Sequence, residues 1–502
     1  MWLSEILDRH CQQRPDAPAV VEGEKQLTWR ELRRAAHAVA AHLGGLGVKH
    51  GDRVAVYSRN RVEVVVSYFA LAHLGAPFVP VNHAMSAAEF HEVAERLEVK
   101  HVLGEQRPVA RLGLGGHQQI VFDTEEFQAL LTAEVPASPP AARLDDPYAV
   151  LLTSGTTGKP KGVVHTAGAL RQMSLSWLAA VEADDRVRLL NLNSLTHGSI
   201  TFTMHYLAAG ATLCLMREFQ PRAVLRELER REITHVWLVP QVLRFLMMAV
   251  GKDTTVQSNL REILFGASPI NPDLLADAMH AFGCDFRNVY GMTEAGGTIA
   301  TWLTASSPAA PGAPLESSGR GVPGIRVEIH DEHNQPVPSG EMGEVCVLAI
   351  GRMSHYASDP TETAEIIVDG WVRTGDVGHM DENGYIHLKA RKKDLIKRGG
   401  QNVFPAELES VIGEIPDVHD VAVAGVPDAD WGEVPVAFVV ARAGAVLSPV
   451  DIQRFLADRL ASYKQPKLVK LVDEIPRNPA GKILRRVLVS RHIDEAVAAR
   501  TS

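Results

Sequence analysis

Arg53-Val-Ala-Val-Tyr-Ser-Arg-Asn-Arg-Val-Glu-Val-Val-Val-Ser-Tyr-Phe-Ala-Leu-Ala-His-Leu-Gly-Ala-Pro-Phe-Val-Pro-Val81 reads as one strand–helix–strand unit. Arg53 to Tyr57 is a short apolar run suited to a buried strand, Val62 to Leu74 carries a helical pattern that Gly75 stops, and Phe78 to Val81 is a second strand. Similar alternation recurs at Ala211 to Met216, at Pro221 to Arg230 followed by His235 to Val239, and at Ile263 to Phe265 followed by Pro272 to Phe282. A mostly parallel α/β architecture is the expectation. After about residue 310 the texture shifts to Pro- and Gly-rich turns between short strands, such as Val327 to His330 and Glu344 to Leu348, which predicts a small β-rich subdomain. Lys389-Ala-Arg-Lys-Lys-Asp394 then leads into a tail with its own signals: strands at Val421 to Ala424 and Val436 to Val440, and a helix from Val450 to Leu460. The expected division is a large N-terminal domain, residues 1–391, and a small α+β C-terminal domain, residues 392–502.

Bulk composition agrees with a chain of this kind. At 502 residues it is too long for one ordinary core, so at least two domains and three layered subdomains are expected. Hydrophobic residues make up 46% and charged residues 22%, near the globular average. A net charge of -9 without long basic runs argues against nucleic acid or an anionic membrane as the main partner. Cys11, Cys214, Cys284 and Cys346 are far apart and fit neither a zinc pattern nor a disulfide framework, so reduced core cysteines are expected. The first residues lack the apolar region and cleavage site of a signal peptide. The apolar stretch from Val64 to Val81 is broken by His73, Gly75 and two prolines, which excludes a membrane span there. The expected location is cytoplasmic.

The chemistry starts behind the apolar run Ala149 to Leu152, at Thr153-Ser-Gly-Thr-Thr-Gly-Lys-Pro-Lys-Gly162. A strand that empties into glycines and hydroxyls can wrap phosphates, because backbone N–H groups converge without Cβ obstruction while lysines add charge. The familiar P-loop is excluded. Only two residues separate Gly155 from Gly158, and Pro160 stands where a magnesium-binding hydroxyl belongs.

Four further segments follow: Tyr290-Gly-Met-Thr-Glu294, Trp371-Val-Arg-Thr-Gly-Asp376, Arg391-Lys-Lys-Asp-Leu-Ile-Lys-Arg-Gly-Gly400, and Asn478-Pro-Ala-Gly-Lys-Ile-Leu-Arg-Arg486. In this order and spacing the five motifs closely resemble the adenylate-forming superfamily of acyl-CoA synthetases, adenylation domains and luciferases. The resemblance runs from about Leu27 to Arg486. It implies ATP, Mg²⁺ and CoA as cofactor and substrates, and a carboxylic acid activated as its acyl-adenylate. Such a site needs cations and aligned donors more than a base, because negative charge accumulates between two anions.

By the same resemblance, Thr153, Ser154, Gly155, Thr156, Thr157, Gly158 and Lys161 embrace the β- and γ-phosphates. Glu294 binds Mg²⁺ and Thr293 reaches the α-phosphate. Tyr290 stacks on adenine, followed by Gly291 and Met292, and Gly266-Ala267-Ser268-Pro269 resembles the loop lining the base. Asp376 accepts from the ribose hydroxyls and Arg391 supplies a second ribose or phosphate contact. Lys482, with Gly481 before it and Arg485-Arg486 after it, matches the lysine that spans the attacking carboxylate and the α-phosphate. Lys393 matches the hinge on which the tail domain turns between half-reactions, and Arg398-Gly399-Gly400 matches the turn that leaves room for a pantetheine arm.

Two segments depart from the family pattern. Asn191-Leu-Asn-Ser-Leu-Thr-His-Gly-Ser199 keeps the gate histidine, His197, but lacks the usual proline and aromatic. Gly198 stands where amino-acid-activating members carry an aspartate, which disfavours an amino acid substrate. In Ser354-His-Tyr-Ala-Ser-Asp-Pro-Thr-Glu-Thr363, His355 replaces a glycine and a turn before the Asp376 strand is the expectation. The candidate acid-pocket residues, His197, Gly198, Ser199, Phe202, Trp237, Gly266 and Met292, mix small and apolar types suited to a medium-sized, uncharged acyl or aryl group.

The resulting expectation is an AMP-forming acid–CoA ligase. A ligase that loads the phosphopantetheine arm of a carrier protein is the nearest alternative. The two differ in whether the tail receives CoA adenosine, for which Lys464 and Lys467 are candidates, or a protein helix. A non-catalytic nucleotide sensor would show erosion at Lys482, Glu294 or the phosphate loop, and a luciferase-like oxygenase has no residue in its favour. A homodimer is compatible with these residues, which do not decide the oligomeric state.

Overall fold

The computed structural model describes residues 2–136, 140–154, 160–230, 232–251, 254–304, 315–428, 430–457, 459–477 and 483–501. The chain forms two compact units: Met1–Val327 with Cys346–Thr374, and Glu328–Val345 with Gly375–Ser502. The expected β-rich region is therefore shared out between the units along the sequence.

The first unit holds two sheets. In one, strands run in the order His355–Tyr356, Pro160–Thr166, Pro147–Ser154, Phe78–Val81, Val54–Tyr57, His101–Gly104 and Gln118–Val121. The last five are joined in parallel and the first three are antiparallel to one another. The other sheet has nine strands, with a parallel centre from Pro18–Glu22 through Thr212–Leu215, Arg188–Asn191, His235–Leu238 and Glu262–Gly266 to Asp285–Met292. Antiparallel strands close its two edges.

One core draws on both sheets and on the helices Trp29–Gly45, Val62–Leu74, Ala167–Ala180 and His197–Ala208. Helix Val62–Leu74 is buried almost all round, which explains its apolar run without a polar face. It stops at Gly75, which is left-handed at φ 69°, and a Cβ there would fall 2.4 Å from the His50 ring. The buried Glu63 on this helix is held by Arg61 at 2.7 Å, Lys25 at 2.6 Å and Gln128 at 2.8 Å.

In the second unit, Val418–Asp428 and Gly432–Ala441 form a long antiparallel pair, with Leu468–Leu471 parallel to the latter. Helices Pro405–Gly413 and Pro449–Ala457 pack Leu408, Ile412, Ile452 and Leu456 against Val423, Val439 and Val469. The other face gathers Phe438, Ile475 and Leu488. Strand Trp371–Met380 passes from one unit to the other at Thr374 and Gly375, and the turn containing Lys393 lies inside the second unit.

Candidate active site

The described ends of the phosphate-loop motif lie on two antiparallel strands. Pro147–Ser154 and Pro160–Thr166 are antiparallel with Thr153 opposite Lys161 and Ser154 opposite Pro160; Gly155, Thr156, Thr157 and Gly158 lie outside the described residues. The two-residue strand His355–Tyr356 extends the hairpin at its edge, pairing Tyr356 with Val163. Tyr356 thereby lies beside Lys161, whose ammonium is 5.2 Å from the centre of its ring. The Tyr356 hydroxyl donates to Glu294 Oε1 at 2.9 Å, and burial followed by the Glu294 charge pushes its pKa up.

Helix Pro360–Ile366 follows at once, with Asp359 as its N-cap accepting from the Glu362 amide at 2.8 Å. Glu362 forms an ion pair with Lys161. The segment read as a turn is thus strand, turn and helix, and it brings two residues absent from the candidate set, Tyr356 and Glu362, onto the hairpin lysine and the metal candidate. The signal for the helix was present in Asp359-Pro360 with Glu362 in the first turn.

Glu294 is 9% exposed and sits in the turn between Asp285–Met292 and Gly297–Leu303. Its carbonyl accepts from Met353 N at 2.9 Å, and Gly296 N closes the turn on the Thr293 carbonyl at 3.0 Å. Tyr290 is buried just before it, Gly291 is exposed and Met292 half-buried. The neighbouring strand ends at Gly266, in register with Val289, and an added Cβ there would fall 2.2 Å from the Val289 carbonyl oxygen. Ala267 follows at φ 68°, a left-handed conformation that costs a non-glycine residue about 1 kcal/mol or more. Ala267 is exposed and Ser268 half-buried. These segments lie at the carboxyl ends of two adjacent parallel strands, where open α/β sheets bind ligands.

Four acid-pocket candidates form one buried group. The Trp237 ring lies 4.5 Å from that of Phe202, its Nε1 donates to Ser199 Oγ at 3.3 Å, and its Cη2 is 3.4 Å from where a Gly266 Cβ would stand. Gly198 is exposed at the start of helix His197–Ala208, and the His197 side chain lies outside the described residues. The loop leading to it is fixed from beneath: Asn60 donates to the Asn193 carbonyl at 2.7 Å and accepts from Leu195 N at 2.8 Å, while Tyr68 donates to the Leu195 carbonyl at 2.7 Å.

In the second unit Asp376 and Arg391 stand opposite each other on antiparallel strands, with Arg391 Nε 2.6 Å from Asp376 Oδ1. Glu344 supports the same turn, accepting from Gly375 N at 3.1 Å and from Lys392 Nζ at 2.9 Å. Lys393 is exposed. Gly399 and Gly400, at φ 55° and 81°, make the two-residue turn between Ile396–Arg398 and Gln401–Val403, a geometry that demands positive φ at both positions. Arg398 donates to the Tyr463 and Gln465 carbonyls at 2.9 and 3.0 Å and lies over the Trp431 ring. Lys464 pairs with Glu407 at 2.6 Å and Lys467 with Asp428 at 2.5 Å. Lys482 lies outside the described residues.

Residues 7–357 match the AMP-binding enzyme family and residues 407–482 the AMP-binding enzyme C-terminal domain. The chain belongs to the AMP-binding enzyme family, the adenylate-forming class that its five motifs resemble. It is 35% identical to fatty acid–[acyl-carrier-protein] ligase ScoC of Streptomyces coeruleorubidus, over 96% of this chain and 95% of that protein. It is 34% identical to indoleacetate–CoA ligase of Aromatoleum aromaticum, covering 98% and 99%. Its fold is similar to that of o-succinylbenzoate CoA synthetase (MenE) from Bacillus subtilis in complex with the acyl-adenylate intermediate OSB-AMP, with a TM-score of 0.85, 28% identity and coverage of 96% and 97%. The same synthetase is known in complex with ATP and magnesium ion, with TM-score 0.85, 28% identity and coverage of 96% and 98%.

Proposed function

We propose that this chain is an ATP-dependent, AMP-forming carboxylic acid–CoA ligase. A carboxylate oxygen of the acid attacks the α-phosphorus of ATP, the bond to the bridging oxygen breaks, and pyrophosphate leaves the acyl-adenylate behind. The thiol of CoA, losing its proton, then attacks the acyl carbon, and AMP departs with the electron pair of the broken C–O bond. The gathering of Lys161 and Glu294 around Tyr356, beside the ends of strands Pro147–Ser154 and Pro160–Thr166, supports this reading: it puts a cation suited to phosphate near a hard oxygen donor suited to magnesium.

Magnesium suits that donor set. A magnesium ion completed by substrate phosphates needs only one or two carboxylates, and Glu294 offers one whose Oε1 is held by Tyr356. When bound it neutralises charge on the phosphates; Glu294 is the residue that would hold it. The other roles follow the family. Thr153, Ser154, Gly155, Thr156, Thr157, Gly158 and Lys161 bind the outer phosphates and Thr293 the α-phosphate. Tyr290 and Gly266–Ser268 hold the base, while Asp376, oriented by Arg391, receives the ribose. Lys482 bridges the attacking carboxylate and the α-phosphate, His197 gates the acid pocket, Lys393 is the hinge, and the Gly399-Gly400 turn accommodates the pantetheine arm.

The buried aromatic group of Phe202 and Trp237 supports a medium-sized, mainly apolar acid. The four free cysteines support a cytoplasmic location, and among the described residues no helix is long and apolar enough to cross a membrane. The test is pyrophosphate release over a panel of aliphatic, aromatic and dicarboxylic acids, with and without CoA. Acid-dependent release followed by CoA-dependent AMP and thioester formation is expected; absence of release with every acid would overturn the reading. One observation favours a second acceptor, the similarity to a ligase that acts with an acyl-carrier protein. Thioester formed on a phosphopantetheinylated carrier and not on CoA would select it.

A further inference from the structure

The chemistry above gives Lys161 to the phosphates of ATP, yet Lys161 is in an ion pair with Glu362. Both side chains are largely withdrawn from water, at 13% and 20% exposure. A half-buried ammonium needs a counter-charge, and losing one partner of such a pair costs far more than breaking a surface pair. Glu362 cannot keep that place once a triphosphate arrives. A carboxylate and a phosphate oxygen on one ammonium repel each other, and the phosphate carries the greater charge.

The surroundings fit an exchange. Glu362 is in the first turn of helix Pro360–Ile366, anchored through its amide by Asp359, so its carboxylate can swing on a fixed backbone. The Tyr356 ring stays against the Lys161 ammonium through its own bond to Glu294, and it holds the lysine at the hairpin while the carboxylate is away.

We propose that Glu362 is an exchangeable counter-ion for Lys161: it neutralises the lysine in the empty site, yields to the β- and γ-phosphates of ATP, and returns as pyrophosphate departs. It is a positioning residue that acts through Lys161. The consequence is weaker binding of ATP and pyrophosphate than an unopposed lysine would give, in exchange for faster loss of pyrophosphate after the first half-reaction. The inference rests on the reading of the hairpin as the phosphate site.

The test is calorimetric titration of magnesium pyrophosphate and magnesium ATP into wild-type protein, Glu362→Gln and Glu362→Asp. Removing the competing charge should tighten both ligands about fivefold in Glu362→Gln, lower the melting temperature of the free protein and enlarge its rise on adding pyrophosphate. Glu362→Asp, which keeps the charge, should remain near wild type. Equal affinities in wild type and Glu362→Gln, or Asp behaving as Gln does, would overturn the proposal. Should Gln fail to fold, Glu362→Ser makes the same prediction for both affinities. Lys161→Met separates this from the underlying reading: if it binds pyrophosphate as tightly as wild type, the hairpin is not the phosphate site; if it binds weakly while Glu362→Gln is unchanged, only the exchange fails.

Discussion

Replacing Tyr356 with Phe removes one oxygen and leaves the ring against Lys161. The lost interaction is a hydrogen bond of 2.9 Å from a hydroxyl on a residue 4% exposed to a carboxylate on a residue 9% exposed. Bonds to charged groups contribute about 1.5–3 kcal/mol, and this one cannot be replaced cheaply by bulk water at such burial. If Glu294 holds magnesium, Tyr356 orients that ligand from outside the coordination sphere, and losing such a partner typically weakens metal binding about 10- to 100-fold. The expected result is a rise of that size in the magnesium concentration giving half-maximal pyrophosphate release. The rate at saturating magnesium should fall far less, and a few degrees of melting temperature should be lost. A folded Tyr356→Phe protein with an unchanged magnesium requirement would refute the reasoning, because the bond would then be structural only.

Acid should destabilise the protein earlier than its carboxylates alone would. Burial lowers the pKa of His10, His73, His165 and His235 to about 4 and that of His205 to about 3. The unfolded chain takes up these protons below pH 6.5 while the folded one does not, so their contribution is complete above that pH and is lost toward pH 4, at up to about 1.4 kcal/mol per pH unit for each. Glu63 acts later: burial raises its pKa but Arg61, Lys25 and Gln128 outweigh it and bring it down to about 2, so its share is lost only below pH 4.5. The urea midpoint should fall steeply between pH 6.5 and 4.5; a flat profile there would contradict the burial of the imidazoles. Gly266→Ala must displace the Val289 carbonyl or its own strand and should cost about 1–3 kcal/mol in urea unfolding together with most of the adenylation rate. Lys482→Ala should abolish adenylate formation while magnesium ATP still binds by calorimetry, and near-normal pyrophosphate exchange by that variant would remove Lys482 from its role. Lys393→Pro should spare the first half-reaction and suppress the second; equal loss of both would count against a hinge.

The parts of the fold that could be read in advance are those governed by neighbours in sequence. Helices Pro221–Arg230 and Pro272–Phe282 have their expected limits because each starts with proline in its first turn; Asn271 caps the second, whose stop is Gly283 at φ 59°. The helix expected from Val450 to Leu460 is Pro449–Ala457 among the described residues, with Leu460 beyond it still buried in the same core. Strand order was not legible, because the apolar runs that pair share no local signal. The same limit hid the most informative contact at the site. His355–Tyr356 is too short for any periodicity, and its partner Val163 is far away in the sequence.

The five motifs and the tail lysines name residues proposed to touch ATP or CoA, but they do not say what these residues touch within the protein. Lys161, Asp376, Arg398, Lys464 and Lys467 all have partners of opposite charge or carbonyl oxygens. For Arg398 and Lys464 these bonds hold the turn at residues 461–465 to the rest of the unit, and losing them to a ligand would cost the unit part of its own support, whereas Lys467 is exposed and its pair with Asp428 is a surface one that contributes little. Arg398 and Lys464 also lie against aromatic rings, but the ring beside Lys161 is anchored by its own hydrogen bond to the Glu294 carboxylate, so its place does not depend on Glu362. A cation with a fixed seat and a movable counter-charge can be lent to a substrate; a cation that braces the fold cannot. On that argument the CoA phosphates are better served by charges other than Lys464, and Lys464→Ala should lower the melting temperature slightly through Glu407 while leaving the CoA concentration for half-maximal thioester formation within about twofold of wild type. A tenfold rise in that concentration with unchanged stability would return Lys464 to the CoA site.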